Sequence, residues 1–540
     1  MRLTALALLA ATLILGFPRF TGATTVNANS VSQSDVAAAV GSAVDGDIVT
    51  IPAGTATWTG TLPVNKAITL QGAGVGVTII KDAMQSGQLI RWSLPAGRPS
   101  RLTAIEFQDG GRTKEAAAPG GILRVDGSNT NGATFRWDNS KWNNLNGVPV
   151  FDTVIGVIDH NTFVQDRNQT AIYIYDSGWD GRSFGDGSWP APTGFGSSQF
   201  LFIEDNTFTH AASTIRVVTD AHAGARFVVR HNTIFNAVPV NHGTESTGRV
   251  RGGRALEIYR NTYTGTNVNN SVGGARSGVV LFHDNIISGY KGSPKFDLSN
   301  FRNFFPFANW DGADGTNVWD VNEPRVFFTG KAASNSSGRI VTVSGANWTP
   351  NQWLGYTIRR TSNLCNSNSL TFGAILGNTA NTITYSDNGG YHWIPTMSFC
   401  GGDSLEIRKV DAALDQPGRA RGSLIIGDPP VRPAGWNDQV TEPCYSWNNG
   451  QVNFGGGPGV RLNEHYFNDT PMPGYTEFKY PHPLTGSVPW SPPMTTTRTS
   501  LRKPWGKKEK KTKQGHRRPW KKTKENPTND VAGGQENLGD

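Results

Sequence analysis

Cysteine is scarce in this sequence, and the clusters of cysteine and histidine that bind zinc or iron are missing. The three cysteines are Cys365, Cys400 and Cys444, and no two of them form a Cys-x-x-Cys pair. This argues against the zinc-ribbon and iron–sulfur classes. Because the number is odd, at least one cysteine stays outside an intramolecular disulfide. Cys365 and Cys400 bracket one local segment, so we predict a bond between these two.

Charged residues and long apolar runs are also few. Charged residues make up 17% of the chain and hydrophobic residues 37%, enough for a core but too scattered for membrane spans in the mature protein. One apolar stretch, Leu3–Phe17, follows Arg2 and precedes a short segment of small residues that ends at Ala23. This order is typical of a signal peptide. We therefore predict a secreted protein that loses residues 1–23, with an uncleaved N-terminal anchor as the alternative.

The net charge of +8 is concentrated near the C-terminus. Residues 502–524 contain twelve Lys or Arg and one acid, and the last sixteen residues contain four acids, which leaves residues 1–501 close to neutral. The tail lacks aliphatic periodicity and is rich in Lys, Pro and Gly, so we predict that residues 496–540 are disordered. It either attaches the protein to an anionic surface or is a solvated extension. No nucleic-acid recognition motif accompanies it.

An internal repeat organises the central part of the chain. Five segments share an apolar strand, an Asn and a second short strand: Val157–Phe163, Phe202–Phe208, Val228–Ile234, Glu257–Tyr263 and Leu281–Ile287. Their asparagines are 45, 26, 29 and 24 residues apart, and the first interval spans two turns. One Asn at a fixed corner of each coil predicts a parallel β-helix. Asn tolerates the left-handed backbone of a sharp corner, and stacked Asn side chains can hydrogen-bond along the axis.

Side-chain alternation within the repeat supports this fold. Three residues before each Asn lies an apolar residue that we expect to face inward: Ile158, Ile203, Val229, Ile258 and Phe282. Two residues before each Asn lies a residue that we expect to face outward: Asp159, Glu204, Arg230, Tyr259 and His283. Nothing between these strands has the apolar period of a helix, so a doubly wound α/β fold is excluded.

The N-terminal region adds a cap and the first turns. Ser34–Val40 is predicted to be a short amphipathic helix that covers the open end of the coil. Gly46–Gly54 and Lys66–Gly74 read as the first turns, with the patterns D-x-V-x-I-P-A-G and I-T-L-x-G-x-G. These segments resemble the pectate-lyase-like right-handed β-helix superfamily, and the resemblance extends over residues 32–299. It implies the fold but not the activity, because lyases, hydrolases, epimerases and non-catalytic spikes share this coil.

The predicted fold is therefore all-β, a right-handed parallel β-helix (solenoid) over residues 24–316. A small antiparallel β module is predicted at residues 317–402, from the alternating stretches Arg339–Ser344, Gly355–Arg359 and Asn381–Tyr385. The last coils and a C-terminal packing segment are predicted at residues 403–495, and Ser404–Arg408 reads as the return to the coil. The Pro-rich stretch Thr441–Pro493 has little periodicity, so we expect it to pack along the outside of the coil. We expect a monomer.

The densest group of acids, histidines and arginines comes after the Asn corners, where the next strand of each coil ends. Stacked coils place equivalent positions about 4.8 Å apart, so these side chains are predicted to form one site. They are Asp176, Asp220, His222, His242, Glu245, Arg249, Arg251, Arg254, Glu257 and Arg276. A Gly-rich loop beside them carries Trp179, Trp189 and Phe195, which either stack on sugar rings or fold the loop against the coil.

This group suits β-elimination of an acidic polysaccharide, which needs a neutralised uronate carboxylate, a base and a proton donor. Ca²⁺ prefers carboxylate oxygens. Arginine clamps a carboxylate with two hydrogen bonds, and histidine is the side chain that most readily exchanges protons near neutral pH. The predicted Ca²⁺ ligands are Asp176, Asp220 and Glu245, the predicted clamp is Arg251 with Arg254, and the predicted base is His242.

The resemblance implies a different base, because Ca²⁺-dependent lyases of the superfamily often use Lys or Arg. Arg230 or Arg254 is therefore the second choice for the base. Substrate binding is assigned to Arg249, Arg276, Trp179, Trp189 and Tyr259. A structural role is the competing interpretation of the whole group, since outward polar residues keep any coil soluble and Arg–Glu ladders are common in proteins.

The preferred function is thus an extracellular polysaccharide lyase acting on an acidic glycan. One alternative is a non-catalytic, surface-binding or adhesive β-helix, tethered by its basic tail. The other is an inverting glycoside hydrolase, in which Asp176 with Asp220, or Asp220 with Glu245, supplies two carboxyls. The Asn-x-Asp and Asp-Asp motifs of the polygalacturonase family are not found at matching positions, which places the hydrolase below the lyase.

Overall fold

A computed structural model describes residues 23–486 except 168–169, 211–215, 244–249, 267–269, 300–319, 355, 366–371, 386–396, 414, 420–425, 428–429, 432–440 and 458–459. The predicted basic tail and all but one residue of the predicted signal peptide lie outside this range. No helix in the described part of the chain is both long and apolar enough to cross a membrane.

Three long parallel sheets, which we call A, B and C, form the body of the protein. Each coil adds one strand to each sheet in that order, so neighbouring strands of a sheet come from successive coils. This is a parallel β-helix, as predicted. Sheet A contains Thr25–Asn27, Ile48–Thr50, Thr69–Gln71, Pro99–Thr103, Thr134–Asp138, Gly156–Asp159, Leu201–Glu204, Arg226–Arg230, Ala255–Tyr259, Val279–His283, Cys444–Trp447 and Tyr466–Phe467.

The other two sheets follow the same register from coil to coil. Sheet B contains Gly54–Trp58, Thr78–Asp82, Glu106–Asp109, Lys141–Asn143, Thr162–Val164, Thr207–Thr209, Thr233–Phe235, Thr262–Thr264 and Ile286–Ser288. Sheet C contains Leu62–Val64, Ile90–Ser93, Leu123–Asp126, Pro149–Asp152, Thr170–Tyr175, Arg216–His222, Ala237–Asn241, Ser271–Ala275, Lys295–Leu298 and Asn453–Gly456.

The core lies inside the coil and is built from residues that repeat once per turn. The predicted inward column from Ile158 to Phe282 is completely buried, which confirms the alternation. Aromatic rings continue this stacking: Phe163 and Phe208 occupy paired positions of sheet B, and their centroids are 4.8 Å apart. Each ring buries a large apolar area against the next coil, which stabilises the stack.

The predicted asparagine ladder is present at the corner between sheets A and B. Asn161 and Asn206 lie on adjacent coils, so their interval of 45 residues is one turn enlarged by the Gly-rich loop and not the two turns that we predicted. The backbone N–H of each Asn donates to the side-chain oxygen of the next, at 2.9 Å from Asn161 to Asn206 and 3.0 Å from Asn285 to Asn449. The left-handed backbone, however, was assigned to the wrong residue. It belongs to the residue before each Asn, such as His231 with φ 55° and Arg260 with φ 56°. The Asn side chain satisfies buried amides of the corner, and its neighbour makes the turn.

The N-terminal cap is also confirmed. The helix α1 spans Gln33–Ser42, and the Ser32 hydroxyl accepts a hydrogen bond from the Asp35 N–H at 3.2 Å, which is a helix N-cap. Val36 and Val40 are buried against the first coil. The cap therefore covers apolar residues that the end of the solenoid would expose.

The antiparallel module interrupts the coil after residue 299 and is larger than predicted. Its sheet contains Asp320–Lys331, Ile340–Thr342, Thr357–Arg360, Phe372–Asn378, Thr382–Tyr385 and Ser404–Ala413, and a separate short hairpin pairs Ile426–Gly427 with Pro430–Val431. Cys365 and Cys400 form the predicted disulfide. Cys444 is buried as a free thiol, and burial raises its pKa to about 12.

One boundary of the module requires a correction. Ser404–Ala413 was predicted to return to the coil, but it pairs antiparallel with Asp320–Lys331 and Thr357–Arg360. The alternating residues of Ser404–Arg408 fit either kind of sheet, because both have a period of two. The coil resumes at Cys444–Trp447, which pairs in parallel with Val279–His283.

The C-terminal packing segment runs across the outer face of sheet A, as predicted. We call residues 472–486 the strap. Its backbone carbonyls at Phe478 and Lys479 accept hydrogen bonds from Arg230 at 2.7 and 3.0 Å. The His482 N–H donates to Glu204 at 2.7 Å. The strap contains the 3₁₀ turn Pro483–Thr485, and a second 3₁₀ turn spans Trp179–Gly181.

Candidate functional site

A compact polar cluster lies on the outer face of sheet C, and we call Tyr173, Asp220, His222 and His242 the sheet C cluster. The Tyr173 hydroxyl lies 3.4 Å from Nδ1 of His222 and 3.4 Å from Nδ1 of His242. The two imidazole rings stack with centroids 4.2 Å apart. Nδ1 of His242 is also 3.2 Å from Oδ1 of Asp220. Phenol, imidazole and carboxylate groups thus meet at one point on the coil.

The strand register explains why these residues meet. Tyr173 pairs with Asp220 and Tyr175 with His222 on adjacent strands, so alternate residues of both strands face the same side. His242 directly follows the next strand of sheet C, Ala237–Asn241. Three successive coils therefore each contribute to the cluster.

The cluster is partly accessible from solvent. The His242 side chain is 17% exposed and that of Asp220 is 10% exposed. Tyr173 stacks on Tyr175 with ring centroids 5.3 Å apart, and both tyrosines are half-buried. Burial raises the pKa of Tyr175, and the Asp220 charge adds to the effect. The two rings extend the polar cluster into a small aromatic surface.

Charged residues continue this face along the coil axis. Asp152 pairs with Tyr175 one coil earlier, and Arg124 bridges Asp126 and Asp152 at 2.8 Å each. These side chains are half-buried, and their charges are largely balanced. The open polar surface of sheet C therefore spans at least four coils.

Arg230, the alternative base, is not placed at this cluster. Its side chain is completely buried on sheet A, where it bonds to Glu204 at 2.6 Å and to the Tyr259 hydroxyl at 2.9 Å. Tyr259, a predicted sugar-binding residue, is itself fully buried. Neither side chain can touch a polymer while the strap covers it, so the structure corrects both assignments to structural ones.

Arg251 and Arg254, the predicted carboxylate clamp, are also buried. Arg251 forms a two-point ion pair with Asp415, at 3.0 and 2.5 Å. Arg254 pairs with Glu442 at 2.9 Å and donates to the Trp189 carbonyl at 3.2 Å. The structure therefore corrects the predicted carboxylate clamp to a structural role. These guanidinium groups hold later parts of the chain against the coil and are almost completely buried.

The Gly-rich loop folds against the coil. Trp189 is completely buried, with the Arg251 guanidinium 4.7 Å from its ring, and Trp179 is nearly so, with Arg226 at 4.5 Å. Both are cation–π contacts in the interior. Trp179 and Trp189 therefore fold the loop against the coil, and the structure corrects their predicted stacking on sugar rings.

The predicted Ca²⁺ ligands do not come together among the described residues. Asp176 is buried apart from Asp220, and burial raises its pKa well above the usual range although Arg226 opposes the effect. Glu245 lies outside the described residues, as does Arg249. Among the described residues, the side chain beside Asp220 is the His242 imidazole at 3.2 Å, whereas Ca²⁺ takes oxygen ligands.

Arg276 directly follows Ser271–Ala275, the strand of sheet C that pairs with Ala237–Asn241. Its backbone N–H donates to the side-chain oxygen of Asn241 at 3.0 Å, and Asn241 directly precedes His242. The residue is 9% exposed. It lies one coil beyond the histidines, at the edge of the open face.

A second titratable group, on sheet A beside the strap, consists of His283, Asp284 and Glu477. Their donor atoms lie within 4.8 Å of one another and line a depression of about 360 Å³. Nδ1 of His283 is 2.8 Å from Asp284, and the Arg260 guanidinium holds Glu477 through both carboxylate oxygens. The ring of His283 is sandwiched between Tyr259 and Trp447. With Arg260 bound to Glu477, this group is a clasp that ties the strap to sheet A.

Comparisons with known proteins show little beyond the fold. No protein-family model matches the chain, and no curated protein matches it. Among solved structures, the chain is similar to a mutant of the PL6 family alginate lyase AlyGC, with 13% identity and a TM-score of 0.25. The similarity covers 51% of this chain and 40% of that lyase, so the chain spans less than half of its length. We therefore infer the function from the side chains of sheet C.

Proposed function

We propose that this chain is a secreted polysaccharide lyase that cleaves an acidic glycan at the sheet C cluster. The observation that carries the proposal is the convergence of the Tyr173 hydroxyl with two imidazole nitrogens at 3.4 Å on an open face of the coil. Side chains of these types move protons near neutral pH when they lie in hydrogen-bond reach of the reacting group.

The chemistry of elimination fits such a group. A base removes the proton next to the uronate carboxylate, the electron pair forms a double bond, and the glycosidic oxygen leaves with a proton. Tyr173 and the two histidines supply exchangeable protons for both ends of this reaction. Arg276 is the arginine nearest to them along the coil, and we assign it to the carboxylate of the substrate.

The open face also suits a polymer better than a small molecule. Its side chains at Arg124, Tyr175 and His242 are partly exposed in the described part of the chain. Sugar rings stack on exposed aromatic surfaces, and Tyr173 with Tyr175 provides one. The predicted hydrolase loses support, because Asp176, one carboxylate of its first pair, is buried.

The test is the ultraviolet absorbance of the unsaturated uronate product, followed with purified protein on pectate, alginate, hyaluronan, chondroitin and gellan. Absorbance is expected to rise on one of these glycans, and a parallel assay in EDTA tests whether the reaction needs a divalent cation. His242→Ala is expected to abolish the rise, and the matched control His160→Ala, at an exposed corner, to leave it intact. New reducing ends without absorbance would replace the lyase with a hydrolase, and binding without either product would favour the adhesive alternative.

A further inference from the structure

We propose that His283, Asp284 and Glu477 bind a divalent transition-metal ion such as Zn²⁺, and that the bound ion fastens the strap to sheet A. His283 ends the strand Val279–His283 of sheet A, and Asp284 follows it at the corner. Glu477 belongs to the strap. The ion would therefore join two parts of the chain that are distant in sequence. This inference is independent of the sheet C cluster and of the proposed elimination.

One atom of each of the three side chains faces the same point. Nδ1 of His283 is 2.8 Å from Oδ2 of Asp284 and 3.9 Å from Oε1 of Glu477, and the donor atoms of the group lie within 4.8 Å of one another. Bonds from Zn²⁺ to imidazole and carboxylate ligands are about 2.0–2.2 Å long, which places tetrahedral ligands about 3.3 Å apart. The two distances from Nδ1 lie on either side of this value, so small rotations of the carboxylates would complete the site.

The imidazole of His283 is held ready for this role. Its ring lies between the rings of Tyr259 and Trp447, with centroids at 4.7 and 4.0 Å, and its side chain is 1% exposed. Burial lowers the pKa of His283, so the ring is neutral at neutral pH and can offer a lone pair. Nε2 is buried without a hydrogen-bond partner among the described residues, so no donor at that nitrogen keeps the hydrogen on Nδ1.

The carboxylates have second partners that leave one oxygen of each for an ion. Oδ1 of Asp284 accepts a hydrogen bond from the Asn448 amide at 3.1 Å, while Oδ2 faces His283. The Arg260 guanidinium donates to both oxygens of Glu477, and it can keep Oε2 when Oε1 binds an ion. Metal-binding carboxylates commonly have such hydrogen-bond partners, which orient them.

The mixture of donors indicates the class of ion. Imidazole suits Zn²⁺ and its neighbours among the transition metals, whereas Ca²⁺ and Mg²⁺ take oxygen ligands. The depression of about 360 Å³ beside the three side chains offers room for water as a fourth ligand. The side chains of Asp284 and Glu477 are 28% and 27% exposed, which gives an ion access from solvent.

Calorimetric titration of the full-length protein with Zn²⁺, after treatment with EDTA, tests the site. Asp284→Asn and Glu477→Gln keep the size of each side chain and remove its charge, so each should weaken Zn²⁺ binding by at least about 100-fold. The matched control is His160→Asn, which removes the imidazole of another corner pair with the same 2.8 Å distance to a carboxylate. It should bind Zn²⁺ as wild type does. Equal affinity in all four proteins, or tighter binding of Ca²⁺ than of Zn²⁺, would overturn the proposal.

A second variant tests the site without removing a ligand. Asn448→Gly takes away the amide that orients Asp284 and suits the backbone of Asn448, which has φ 55°. It should weaken Zn²⁺ binding by about 10–100-fold, less than Asp284→Asn does. Circular dichroism of each protein in EDTA verifies that the variants are folded. Unchanged binding in this variant would contradict the proposed orientation of Asp284.

Limited trypsin digestion tests whether the ion fastens the strap. Lys479 is exposed in the strap, two residues after Glu477, and cleavage after it can be identified by mass spectrometry. At a Zn²⁺ concentration of about 100 times its Kd, cleavage at Lys479 should slow by up to about 100-fold in wild type and remain unchanged in Asp284→Asn. Zn²⁺ binding without slower cleavage, or equal slowing in both proteins, would contradict a role of the ion in holding the strap.

Discussion

The outer faces of sheets A and C are made from the same kinds of side chain, yet they differ in burial among the described residues. Sheet A presents Asp159, Glu204, Arg230, Tyr259 and His283 in one column, all of them buried. Sheet C presents Tyr173, Asp220, His222 and His242, and the first and last of these are partly exposed. The strap packs on the first face. Residue type alone therefore does not distinguish a site from a structural ladder, and the difference lies in what packs on top.

The two faces also treat charge differently. On sheet A, carboxylates are neutralised within the interior: Arg136 holds Asp159 at 2.7 Å and Arg230 holds Glu204 at 2.6 Å. Buried ion pairs of this kind are expensive to break, because one charge is left without a partner. On sheet C, Asp220 lies 3.2 Å from the His242 imidazole, which in turn is 3.4 Å from the Tyr173 hydroxyl. Such a site can exchange protons at little structural cost.

The largest expected effect of a single substitution is on catalysis at sheet C. His242→Ala should lower kcat/KM about 10²–10⁴-fold, since it removes an imidazole from the proton-transfer group. The free energy of unfolding should change little, because the side chain is partly exposed. Urea denaturation beside the absorbance assay measures both. A large loss of stability with unchanged activity of the folded fraction would make sheet C a structural face like sheet A.

The converse is expected at sheet A. Arg230→Met should lower the free energy of unfolding by about 3–5 kcal/mol, because it leaves Glu204 buried without its cation and removes two bonds to the strap. Activity per folded molecule should be retained. The matched control, Arg91→Met, replaces an arginine that is 59% exposed and should be nearly neutral. Adding Glu204→Leu to Arg230→Met should restore part of the loss, and a double variant as unstable as the single one would argue against this cause.

A smaller, pH-dependent effect is expected at Glu257, a buried sheet A carboxylate whose hydrogen bonds come from uncharged donors. Burial raises its pKa to about 7, although the Tyr475 hydroxyl and the Gly196 N–H donate to it. A raised pKa means that the folded state binds the proton more tightly than the unfolded state. The stabilisation of the fold by this proton is complete below the pKa of the unfolded state and is lost as the pH rises to about 7.

The variant Glu257→Gln keeps the acceptor for Tyr475 and cannot ionise. The melting temperature of this variant should therefore fall less between about pH 4 and pH 7 than that of wild type. Above that range the variant should be more stable than wild type by about 1–3 kcal/mol. Glu464→Gln is the control, because Glu464 is an exposed carboxylate whose pKa is lowered by Arg461. If the slope persisted in Glu257→Gln, another group would be responsible for it.

The smallest effect is expected at the exposed edge of the strap. Glu477→Gln breaks the pair with Arg260, whose side chain is 48% exposed, and should cost about 0.2–1 kcal/mol. The cost should shrink further in high salt, since exposed charges are screened. Thermal unfolding at two salt concentrations measures this. A loss as large as that of Arg230→Met would show that the clasp, rather than the buried pair, holds the strap.

The coil could be predicted because its rules are local and periodic. One Asn per turn and an apolar residue three positions earlier are enough to define sheet A. The ladder position at Ser140 was not predicted, because a serine hydroxyl stands there in place of an asparagine amide. The Ser140 hydroxyl accepts from the Ile105 N–H, and the Ser140 N–H donates to the side chain of Asn161. Asn449 was missed because the module separates it from Asn285 by 164 residues.

The site was predicted only in part, and the reason is again burial. His242 and Asp220 were selected and do meet, at 3.2 Å. Arg251 and Arg254 were selected with them because their charge and position suit a clamp. Their partners Asp415 and Glu442 lie more than 160 residues away, where no local pattern indicates them. Tyr173 was passed over because a tyrosine in a strand usually indicates β-propensity rather than chemistry.

The antiparallel module lies between two neighbouring coils of the β-helix, and this position affects the order of folding. The strands of the coils up to His283 pair with those of neighbouring coils, so they can stack one after another as the chain leaves the ribosome, whereas Arg251 and Arg254 meet Asp415 and Glu442 only later. The next strand of sheet A, Cys444–Trp447, does not exist until the whole module has been synthesised. The strap follows later still. The open face of sheet C is thus assembled early, and sheet A stays uncovered until synthesis is nearly complete.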